Sequence, residues 1–533
     1  MARISAEQAL QIALSFDHAG QFAVSEGWYR RILEAQPDHA EALHRLGAIE
    51  LSTGRYGEAS GHIAQAIAKC PVEPAYYSNL GEAYRRLGRF EDAVAQFQQA
   101  LALNPDFADA HLNLGGALAD LGRFDEAILS CRQALALRPE WPLAQNNLGR
   151  SISGKGQPLQ ATHWYLRSLE GEPANPEAHN NLGNAYAQLG QWNEAIASFR
   201  RAIALEPRHV GAHWNLSQAL LTVGRYGEGW PEYEWRIPFL RSRPNRCGAR
   251  WNGGRVDGQS LLLHSEQGCG DTLQFLRYVP LALARAGALR LALECQTELT
   301  RLVAGTFGPD VEVIAEKDFG RTISVECDHH LSLLSLPLVL GKFSPWHPAT
   351  PYLCADRNLR AAWRERLNCG SRLRVGLAWA GNPGHVHDSR RSLHSESLLP
   401  IMRVPGVDFY NLQVDPHGEP IQLKSAGLID FTRQLSDFAE TAALVATLDL
   451  VISVDTAVVH LAGALGCPVW TLLPFAPDWR WGLNGQDTPW YPTMRLFRQS
   501  AAGDWDSSIQ RVAEELRRIK RPLLRGPEDS DRI

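Results

Sequence analysis

The stretch FADAHLNLGGALADLGRFDEAILSCRQALALRPE, residues 107–140, is one full period of a pattern that fills the first 230 residues. Apolar residues recur at helical spacing before and after the turn at Gly122, and Pro139 closes the second run. Each period therefore predicts two helices joined by a glycine turn. Such a pair cannot bury its apolar face alone, so neighbouring pairs must stack into a continuous core.

The same residue types return every 34 positions. The series are a proline (Pro37, Pro71, Pro105, Pro139, Pro173, Pro207) and a turn glycine (Gly20, Gly54, Gly88, Gly122, Gly156, Gly190, Gly224). A Leu-Gly pair and a small alanine share the register, where two helices must cross closely. This is the tetratricopeptide period, and it predicts an all-α superhelix of about seven repeats over residues 1–230.

A row of asparagines occupies one position of the first helix in five consecutive repeats, and Arg45 stands in that place one repeat earlier. This asparagine ladder consists of Asn79, Asn113, Asn147, Asn181 and Asn215. A side-chain amide both donates and accepts, so a spaced row could hold the backbone of an extended peptide. The alternative is that these amides bond between neighbouring repeats. The array resembles that of protein O-GlcNAc transferases, whose inner asparagine ladder holds the acceptor polypeptide, which implies a protein or peptide partner in the groove.

Composition limits the partners and the compartment. A net charge of -5, without a run of Lys or Arg, argues against a nucleic-acid partner. The nine cysteines are scattered without C-x-x-C spacing, so we expect no disulfide framework, no zinc site and a reducing, cytoplasmic location. No apolar run of roughly 18 residues predicts a transmembrane segment, and peripheral membrane contact stays open.

The 34-residue register ends after Trp230, and alternating strands and helices follow. Residues 231–258 are rich in Arg, Pro, Gly and Trp, which predicts a connector packed against the next domain. Two β/α halves, residues 259–365 and 366–522, predict two doubly wound parallel sheets that face each other across a cleft, and residues 523–533 form a tail. Ligands of such folds bind beyond the carboxyl ends of the strands.

Apolar runs give the expected elements of both halves. The first half has the strand candidates LLLHSE (261–266), ALRLALEC (288–295) and VEVIAE (311–316), separated by helical TLQFLRYVPLALARAG (272–287) and TELTRLVAGTF (297–307). The second half has the strand candidates LRVGLAWAG (373–381), VDFYNLQV (407–414), LDLVISV (448–454) and PVWTLLP (468–474), with the helix TAVVHLAGALG (456–466).

Two strand-to-helix junctions carry the candidate chemistry. Asp271 follows the first strand of the first half, where an acid would lie over the cleft, or would only cap the helix. Asp455 and Thr456 follow LDLVISV, and His460 lies one turn into the next helix. A helix N-terminus offers free N–H groups and a favourable dipole for a diphosphate, to which Thr456 adds a hydroxyl. The alternative is an ordinary N-cap with a core histidine.

Three further segments are candidates. Arg390 and Arg391, in the loop at residues 382–395, could neutralise a leaving diphosphate by bidentate contact, or form a solvated basic loop. The aromatic residues of PDWRW (477–481) and PWYP (489–492) favour packing over stacking on a base or sugar. Asp504 belongs to a D-x-D sequence just before a helix, where we expect N-capping rather than metal binding.

Two segments, taken in their order along the chain, resemble the heptosyltransferase family of GT-B glycosyltransferases. They are Gly270-Asp271 with Thr272 to Pro280, and Asp455-Thr456 with His460-Leu461. The resemblance covers about residues 259–520. It implies a GT-B fold of two Rossmann-like domains, with the acceptor on the first half and the nucleotide sugar on the second. It also implies that Asp271 is the catalytic base, that Asp455, Thr456 and His460 bind the donor diphosphate, and that Arg391 is the nearest match to a phosphate-binding basic residue. Ala457 stands where the family has glycine.

The function expected from these features is transfer of a sugar from a nucleotide-diphosphate donor. The acceptor, held or recruited by the repeats, would be a protein or a cell-envelope glycan. Direct displacement would invert the anomeric centre, and neither a metal nor a cofactor is required if the protein's own donors hold the leaving diphosphate. The alternative is a tetratricopeptide interaction scaffold with an inactive glycosyltransferase-like domain.

Overall fold

The structure, a computed structural model, describes residues 4–239, 248–316, 326–346, 351–367, 370–384, 388–414 and 420–519. The chain divides into two compact units, Met1–Ala212 and His213–Ile533. This division precedes the end of the array expected at residue 230, and the domain boundaries taken from the sequence stay predictions. The tail at residues 523–533 lies outside the described residues.

The first unit is built from helix pairs, one for each 34-residue period. The helices are α1 (Ala6–His18), α2 (Phe22–Ala35), α3 (Ala40–Ser52), α4 (Tyr56–Lys69), α5 (Pro74–Arg86), α6 (Phe90–Leu103), α7 (Ala108–Asp120), α8 (Phe124–Leu137), α9 (Pro142–Gly154), α10 (Pro158–Gly171), α11 (Pro176–Gln188) and α12 (Trp192–Leu205). The helix–turn–helix repeat expected from the sequence is confirmed. In the fifth repeat, Pro158 occupies the first turn of α10, where a proline is tolerated.

A glycine ends the first helix of every pair in the left-handed backbone region. The φ angles of these turn glycines lie between 71° and 82°. A side chain there would meet the following carbonyl, so the repeat needs glycine at this position.

The helices of a pair cross where a second glycine faces a large side chain. At Gly81, an added Cβ would lie 2.7 Å from Cε1 of Phe97. The equivalent contacts are Gly47 with Ile63, Gly115 with Cys131, Gly149 with Tyr165 and Gly183 with Phe199. The alanine series of the second helix is fully buried at the same crossing, as Ala93 illustrates. The register of small residues therefore fixes how closely each pair packs.

The second unit is an α/β structure that opens with the end of α13 (Val210–Thr222) and with α14 (Tyr226–Tyr233). Its strands are β1 (Ala249–Arg250), β2 (Ser260–His264), β3 (Arg290–Gln296), β4 (Glu312–Glu316), β5 (His329–Ser332), β6 (Leu373–Ala378), β7 (Val407–Asn411), β8 (Leu450–Val454), β9 (Val469–Leu473) and β10 (Met494–Arg498).

Short helices connect these strands. They are α15 (Cys269–Phe275), α16 (Val279–Ala286), α17 (Thr300–Phe307), α18 (Leu336–Val339), α19 (Arg357–Arg366), α20 (Asp388–Arg391), α21 (Leu399–Met402), α22 (Ile421–Ser425), α23 (Phe438–Val445), α24 (Ala457–Ala464) and α25 (Trp505–Arg518). Single 3-10 turns cover Glu234–Phe239, Leu276–Tyr278, Thr297–Leu299, Gly308–Asp310, Leu333–Ser335, Ser395–Leu398, Thr432–Gln434 and Trp479–Trp481.

The strands form two five-stranded sheets, ordered β1-β5-β2-β3-β4 and β10-β9-β8-β6-β7. Every strand pair in them is parallel. The chain reverses direction across the first sheet between β5 and β2, and across the second between β6 and β8. Parallel sheets bind ligands beyond the carboxyl ends of the strands at such switch points.

The prediction of one long helix over residues 272–287 is wrong in one respect. A 3-10 turn at Leu276–Tyr278 separates α15 from α16. Pro280 explains the break, since proline lacks an N–H and its ring clashes with the carbonyl four residues earlier. Both sheets nevertheless share one hydrophobic core, to which β2 contributes Leu261 and α24 contributes Val459.

The segment that follows the last repeat turn belongs to this core. Trp230 and Tyr233 are each 1% exposed, and the Trp230 indole donates to the carbonyl of Phe343 at 2.8 Å. The buried guanidinium of Arg236 pairs with the buried carboxylate of Glu266, directly after β2. Packing of the connector against the next domain is thus observed as far as Arg236. No helix in the described ranges combines the length and the apolar content needed to cross a membrane.

Candidate active site

The two strand-to-helix junctions singled out in the sequence lie side by side. A Cβ added to Gly270, in the first turn of α15, would lie 3.0 Å from Cδ2 of His460 and 3.5 Å from Cα of Ala457, both in α24. The N-terminal turns of α15 and α24 are therefore in contact, and any larger residue at position 270 would push them apart.

Four loops meet here, each leaving the carboxyl end of a strand. The loop after β2 carries Asp271, the loop after β6 carries Arg391, and β8 leads directly into Asp455 and Thr456. The loop after β9 adds two residues that the sequence analysis did not single out as ligands, Asp478 and Arg480. The strands β2, β6 and β8 border the switch points of the two sheets. We call Asp271, Arg391, Asp455, Thr456, His460, Asp478 and Arg480 the strand-end cluster.

Asp271 has a local and a long-range contact. Its Oδ2 accepts from the backbone N–H of Gly268 at 3.1 Å, so the expected alternative role in helix capping is present. Its Oδ1 accepts from Nη2 of Arg480. Burial raises the pKa of the Asp271 carboxyl, although Arg480 opposes this shift. Since the side chain remains 21% exposed, this carboxylate combines increased basicity with access to solvent.

Arg480 is the largest omission of the sequence analysis. It is 8% exposed, donates to Oδ1 of Asp478 from Nη1 at 2.8 Å, and donates from Nε to Oε1 of Gln274. Its guanidinium lies 4.5 Å from the ring centre of Trp479. The sequence offered one signal, an arginine between two tryptophans after a buried strand, which was interpreted only as packing.

His460 is a buried neutral imidazole. It is 4% exposed, its Nδ1 lies 2.9 Å from the hydroxyl of Tyr491, and its ring stacks on Trp481 at 5.4 Å. Burial and the nearby arginine charges, that of Arg480 first, lower its pKa well below the usual value. His460 therefore packs as the alternative of a core histidine expects. It also lies next to Gly270, which makes it part of the strand-end cluster.

Thr456 and Asp455 begin helix α24. Thr456 is the N-cap residue, and its hydroxyl oxygen accepts from the N–H of Val458 at 3.3 Å. Burial, followed by the charge of Asp478, raises the pKa of the Asp455 carboxyl to about 6. This carboxyl is 13% exposed, and its Oδ1 lies 3.9 Å from Nε2 of His460. A carboxyl that protonates this readily can donate a hydrogen bond to an anion.

Arg391 lies at the end of α20, so part of the expected loop is a helical turn. Its Nε donates to Oδ1 of Asp388 at 3.3 Å, and its side chain is 20% exposed. Its positive charge acts on both Asp455 and His460, which associates it with the cluster. Arg390 is exposed on the same turn, as the solvated-loop alternative expects.

Two secondary predictions are confirmed. The aromatic residues after β9 pack in the core, since Trp479, Trp481, Trp490 and Tyr491 are at most 2% exposed. Asp504 caps α25, accepting from the N–H of Ser507 at 3.2 Å. Within the described ranges, no group of three or more His, Cys, Asp or Glu side chains could hold a metal ion. Independence of metals and cofactors stays a prediction.

The asparagine ladder divides into two kinds of residue. Asn79 bonds to His44 at 2.9 Å and Asn181 donates to Asn146 at 3.3 Å, each in the preceding repeat. In the part of the chain that the structure describes, the half-buried amides of Asn113 and Asn147 make no hydrogen bond to another side chain. Asn215 lies in the second unit. Bonding between repeats thus accounts for two members, and a role in holding peptide stays a prediction.

Known proteins resemble both units. Residues 10–74 and 78–142 match one tetratricopeptide repeat family model, and residues 176–209 match a second. Residues 435–497 match the model of glycosyltransferase family 9 (heptosyltransferase). The chain thus carries tetratricopeptide repeats and a C-terminal segment of the heptosyltransferase type. That segment holds Asp455, Thr456, His460, Asp478 and Arg480 of the strand-end cluster.

Individual relatives cover only parts of the chain. Protein FlbA of Caulobacter vibrioides is 33% identical over 322 residues, which is 54% of this chain and 52% of that protein. The chain therefore spans about half the length of this curated relative. The structure of MamA protein shares 25% identity over 32% of this chain and 92% of its own, with a TM-score of 0.29. A thermophilic tetratricopeptide repeat protein in Thermus thermophilus shares 26% over 34% of this chain and 98% of its own, with a TM-score of 0.30.

Proposed function

We propose that this chain is a GT-B-type glycosyltransferase that takes a sugar from a nucleotide-diphosphate donor. One observation carries the proposal: the helix bearing Asp271 and the N-terminus of α24 are in contact at Gly270 and His460. Sugar transfer by displacement needs a base for the acceptor and a helix end that binds the donor diphosphate. The two must lie no farther apart than the length of the bound substrates.

The donor would bind on the side of the second sheet. The first turn of α24 presents the positive end of the helix, and the hydroxyl of Thr456 lies beside it. Arg391 brings positive charge to the same end of the sheet. Because the pKa of Asp455 is raised to about 6, its carboxyl repels a diphosphate less than an ordinary aspartate does. These groups together would stabilise the departing nucleoside diphosphate without a metal.

Asp271 would act as the general base. Its carboxylate is partly exposed, and burial raises its pKa, so it holds an abstracted proton more firmly than a solvated aspartate does. The acceptor hydroxyl would lose its proton to Asp271 as its oxygen attacks the anomeric carbon. The bond from that carbon to the diphosphate oxygen breaks with its electron pair leaving on the diphosphate, and the configuration inverts.

The acceptor would be a protein or a cell-envelope glycan recruited by the repeats. Repeat arrays use extended grooves for such partners, and the unbonded amides of Asn113 and Asn147 offer donors and acceptors to a peptide backbone. The match to a heptosyltransferase model supports the transfer chemistry and leaves the acceptor class to experiment.

The test begins with ligand binding. UDP, GDP and ADP are added singly to the full chain, and a nucleotide held only by the folded protein raises the unfolding temperature. We expect one of them to do so. Thr456→Ala should weaken that shift, because it removes the hydroxyl and the cap at the start of α24.

Turnover is then measured as release of nucleoside diphosphate from the matching nucleotide sugars. Asp271→Asn should retain the thermal shift and lower turnover about a hundredfold or more. Asp506→Asn, which changes an exposed acid in the first turn of α25, is the matched control and should leave both unchanged. Equal turnover by wild type and Asp271→Asn would remove Asp271 from the role of base.

The second candidate function is an interaction scaffold without turnover. One observation favours it: Asp271 already forms an ion pair with Arg480. A carboxylate without a catalytic role could keep this ion pair permanently. No thermal shift with any of the three nucleotides, together with no turnover, would support the scaffold.

A further inference from the structure

Arg480 reaches the candidate base from the opposite sheet. Asp271 follows β2 of the first sheet, whereas Arg480 follows β9 of the second, and the two side chains form an ion pair. We propose that Arg480 is a positioning residue for Asp271, which orients the carboxylate and keeps it ionised for deprotonation of the acceptor hydroxyl. This inference rests on the proposed function.

The guanidinium of Arg480 is held from three directions. Asp478 accepts from its Nη1 at 2.8 Å and from the Arg480 backbone N–H at 3.0 Å. Gln274, one turn after Asp271 in α15, accepts from its Nε. Trp479 supports the flat face at 4.5 Å. A planar fork with these contacts has little freedom, so its remaining Nη2 points at Asp271 in a fixed direction.

The Asp271 carboxylate is correspondingly fixed through both oxygens. Oδ2 accepts from the N–H of Gly268 at 3.1 Å, and Oδ1 accepts from Arg480. Each carboxylate oxygen can accept two hydrogen bonds, so each keeps one site for an incoming hydroxyl. The two donors, the N–H of Gly268 and Arg480, follow strands of different sheets. The direction of the remaining acceptor sites on Asp271 therefore depends on both sheets.

Charge is the second part of the role. The groups that face Asp271 are Arg480 and Asp478 from the loop after β9, Glu266 from the loop after β2, Tyr233 from α14, and Cys269 and the neutral His460 from the two contacting helices. Asp478 and Glu266 are negative, and burial also disfavours the ionised carboxylate. Arg480 supplies the opposing positive charge, since the guanidinium of Arg236 is engaged with Glu266.

The experiment uses full-length protein and separates orientation from charge. Arg480→Gln removes both, whereas Arg480→Lys keeps the charge and loses the fork. Arg374→Gln is the matched control, because Arg374 forms a partly buried ion pair with Asp449 at the amino ends of β6 and β8. Hydrolysis of UDP-glucose, GDP-mannose and ADP-glucose is followed from pH 5 to 9 by release of nucleoside diphosphate, and binding of UDP, GDP and ADP is measured by titration.

For Arg480→Gln we expect the acidic limb of the kcat/KM profile to move upward by about one pH unit or more, because an opposing charge is lost. The loss should be greatest at the acidic end of this range and smaller at pH 9. Arg480→Lys should keep the limb of the wild type with a lower kcat. The dissociation constant of the nucleoside diphosphate should change less than threefold in both, and Arg374→Gln should behave as the wild type.

A uniform loss at every pH would overturn the proposal and leave Arg480 a structural residue. A raised dissociation constant with unchanged kcat would overturn it too, because Arg480 would then be a donor ligand. If Arg480→Gln folds poorly by circular dichroism, the Lys variant still decides, since a wild-type kcat would contradict the orienting role. Absence of turnover and nucleotide binding in the wild type would reject the proposed function itself, and this inference with it.

Discussion

In the first unit, helices cross where a glycine faces a large apolar side chain, and the same contact recurs from repeat to repeat. In the second unit, α15 and α24 meet among buried arginines, carboxyls and a neutral histidine, an arrangement found at one place among the residues that the structure describes. A repeated apolar contact can be lost in one copy while its neighbours persist. A single charged junction has no second copy, so its removal affects the whole unit.

The largest effect is expected at Arg277, because it joins segments of the second unit from a fully buried position. Its guanidinium donates to the carbonyls of Trp346 at 3.1 Å and Trp490 at 2.9 Å, and to the hydroxyl of Tyr352 at 3.1 Å. Arg277→Met removes the donor to both buried carbonyls, and the free energy of unfolding should fall by about 4 kcal/mol.

Tryptophan fluorescence in urea reports this transition, since most of the 16 tryptophans follow residue 212. The control is Arg290→Met, which removes an arginine whose ion pair with Glu312 is half exposed and should change the midpoint little. An unchanged midpoint for Arg277→Met would show that these buried hydrogen bonds do not stabilise the unit.

The second effect concerns pH and compares two aspartates of the second unit. The pKa of Asp455 is raised to about 6, so ionisation destabilises the folded state as pH rises from about 4 to 6. Burial alone would raise the pKa of Asp430, yet its hydrogen bonds with Thr432 and Lys424 outweigh burial and lower that pKa to about 2. Ionisation of Asp430 therefore stabilises the folded state at neutral pH.

Asp455→Asn should therefore increase the free energy of unfolding by up to about 3 kcal/mol at pH 7.5, with no gain near pH 4. Asp430→Asn should decrease it by about 2 kcal/mol at pH 7.5, with a smaller loss near pH 3. Urea unfolding across this pH range measures both. Differences of the same sign for the two variants would contradict the opposite environments assigned to these carboxyls.

The third effect tests the apolar crossing of the array. Gly81→Ala places a Cβ 2.7 Å from the Phe97 ring, and overpacking of this kind should lower the free energy of unfolding by about 2 kcal/mol. Gly61→Ala is the control, because a Cβ at this exposed position of α4 meets nothing within 4 Å. It should raise stability by about 0.5–1 kcal/mol through helix propensity. Circular dichroism would show the array's transition, and two equal shifts would refute the crossing argument.

The smallest effect separates the two kinds of ladder residue. Asn79→Ala with Asn181→Ala removes hydrogen bonds to neighbouring repeats and should destabilise the array by about 1 kcal/mol for each bond. Asn113→Ala with Asn147→Ala should change stability by less than about 0.5 kcal/mol. If the groove holds a peptide acceptor, this second pair should lower protein glycosylation measured by mass spectrometry. Equal glycosylation by both pairs would exclude a peptide-holding role for the unbonded amides.

Much of the fold could be predicted because periodicity records which face of an element is buried. The 34-residue spacing located each helix pair, and mostly apolar runs located β8 and β9, which are buried on both faces. Strand β5 was missed because HHLS places two histidines where an apolar run was sought. Strand β10 was missed because MRLFR follows a segment rich in proline and tryptophan that was interpreted as loop packing.

The candidate site was predictable to the extent that strand ends converge. Asp271, Asp455 and Thr456 each follow a strand, and the rule for parallel sheets predicted them at the carboxyl edges of the two sheets. The pairing of Asp271 with Arg480 spans 209 residues and two sheets, and no local spacing encodes it. Tyr491 was missed as the partner of His460 for the same reason, because its hydroxyl direction depends on core packing around two tryptophans.

Helix α14 begins at the aromatic Tyr226, just after the turn glycine Gly224 of a repeat, yet buries Trp230 and Tyr233 in the α/β core. A chimera that exchanges this array for another must therefore keep native sequence from His213 onward. A graft joined at the apparent last repeat would remove indole and phenol rings from the interior of the recipient. Such a hybrid would aggregate during expression even though every remaining catalytic candidate is intact.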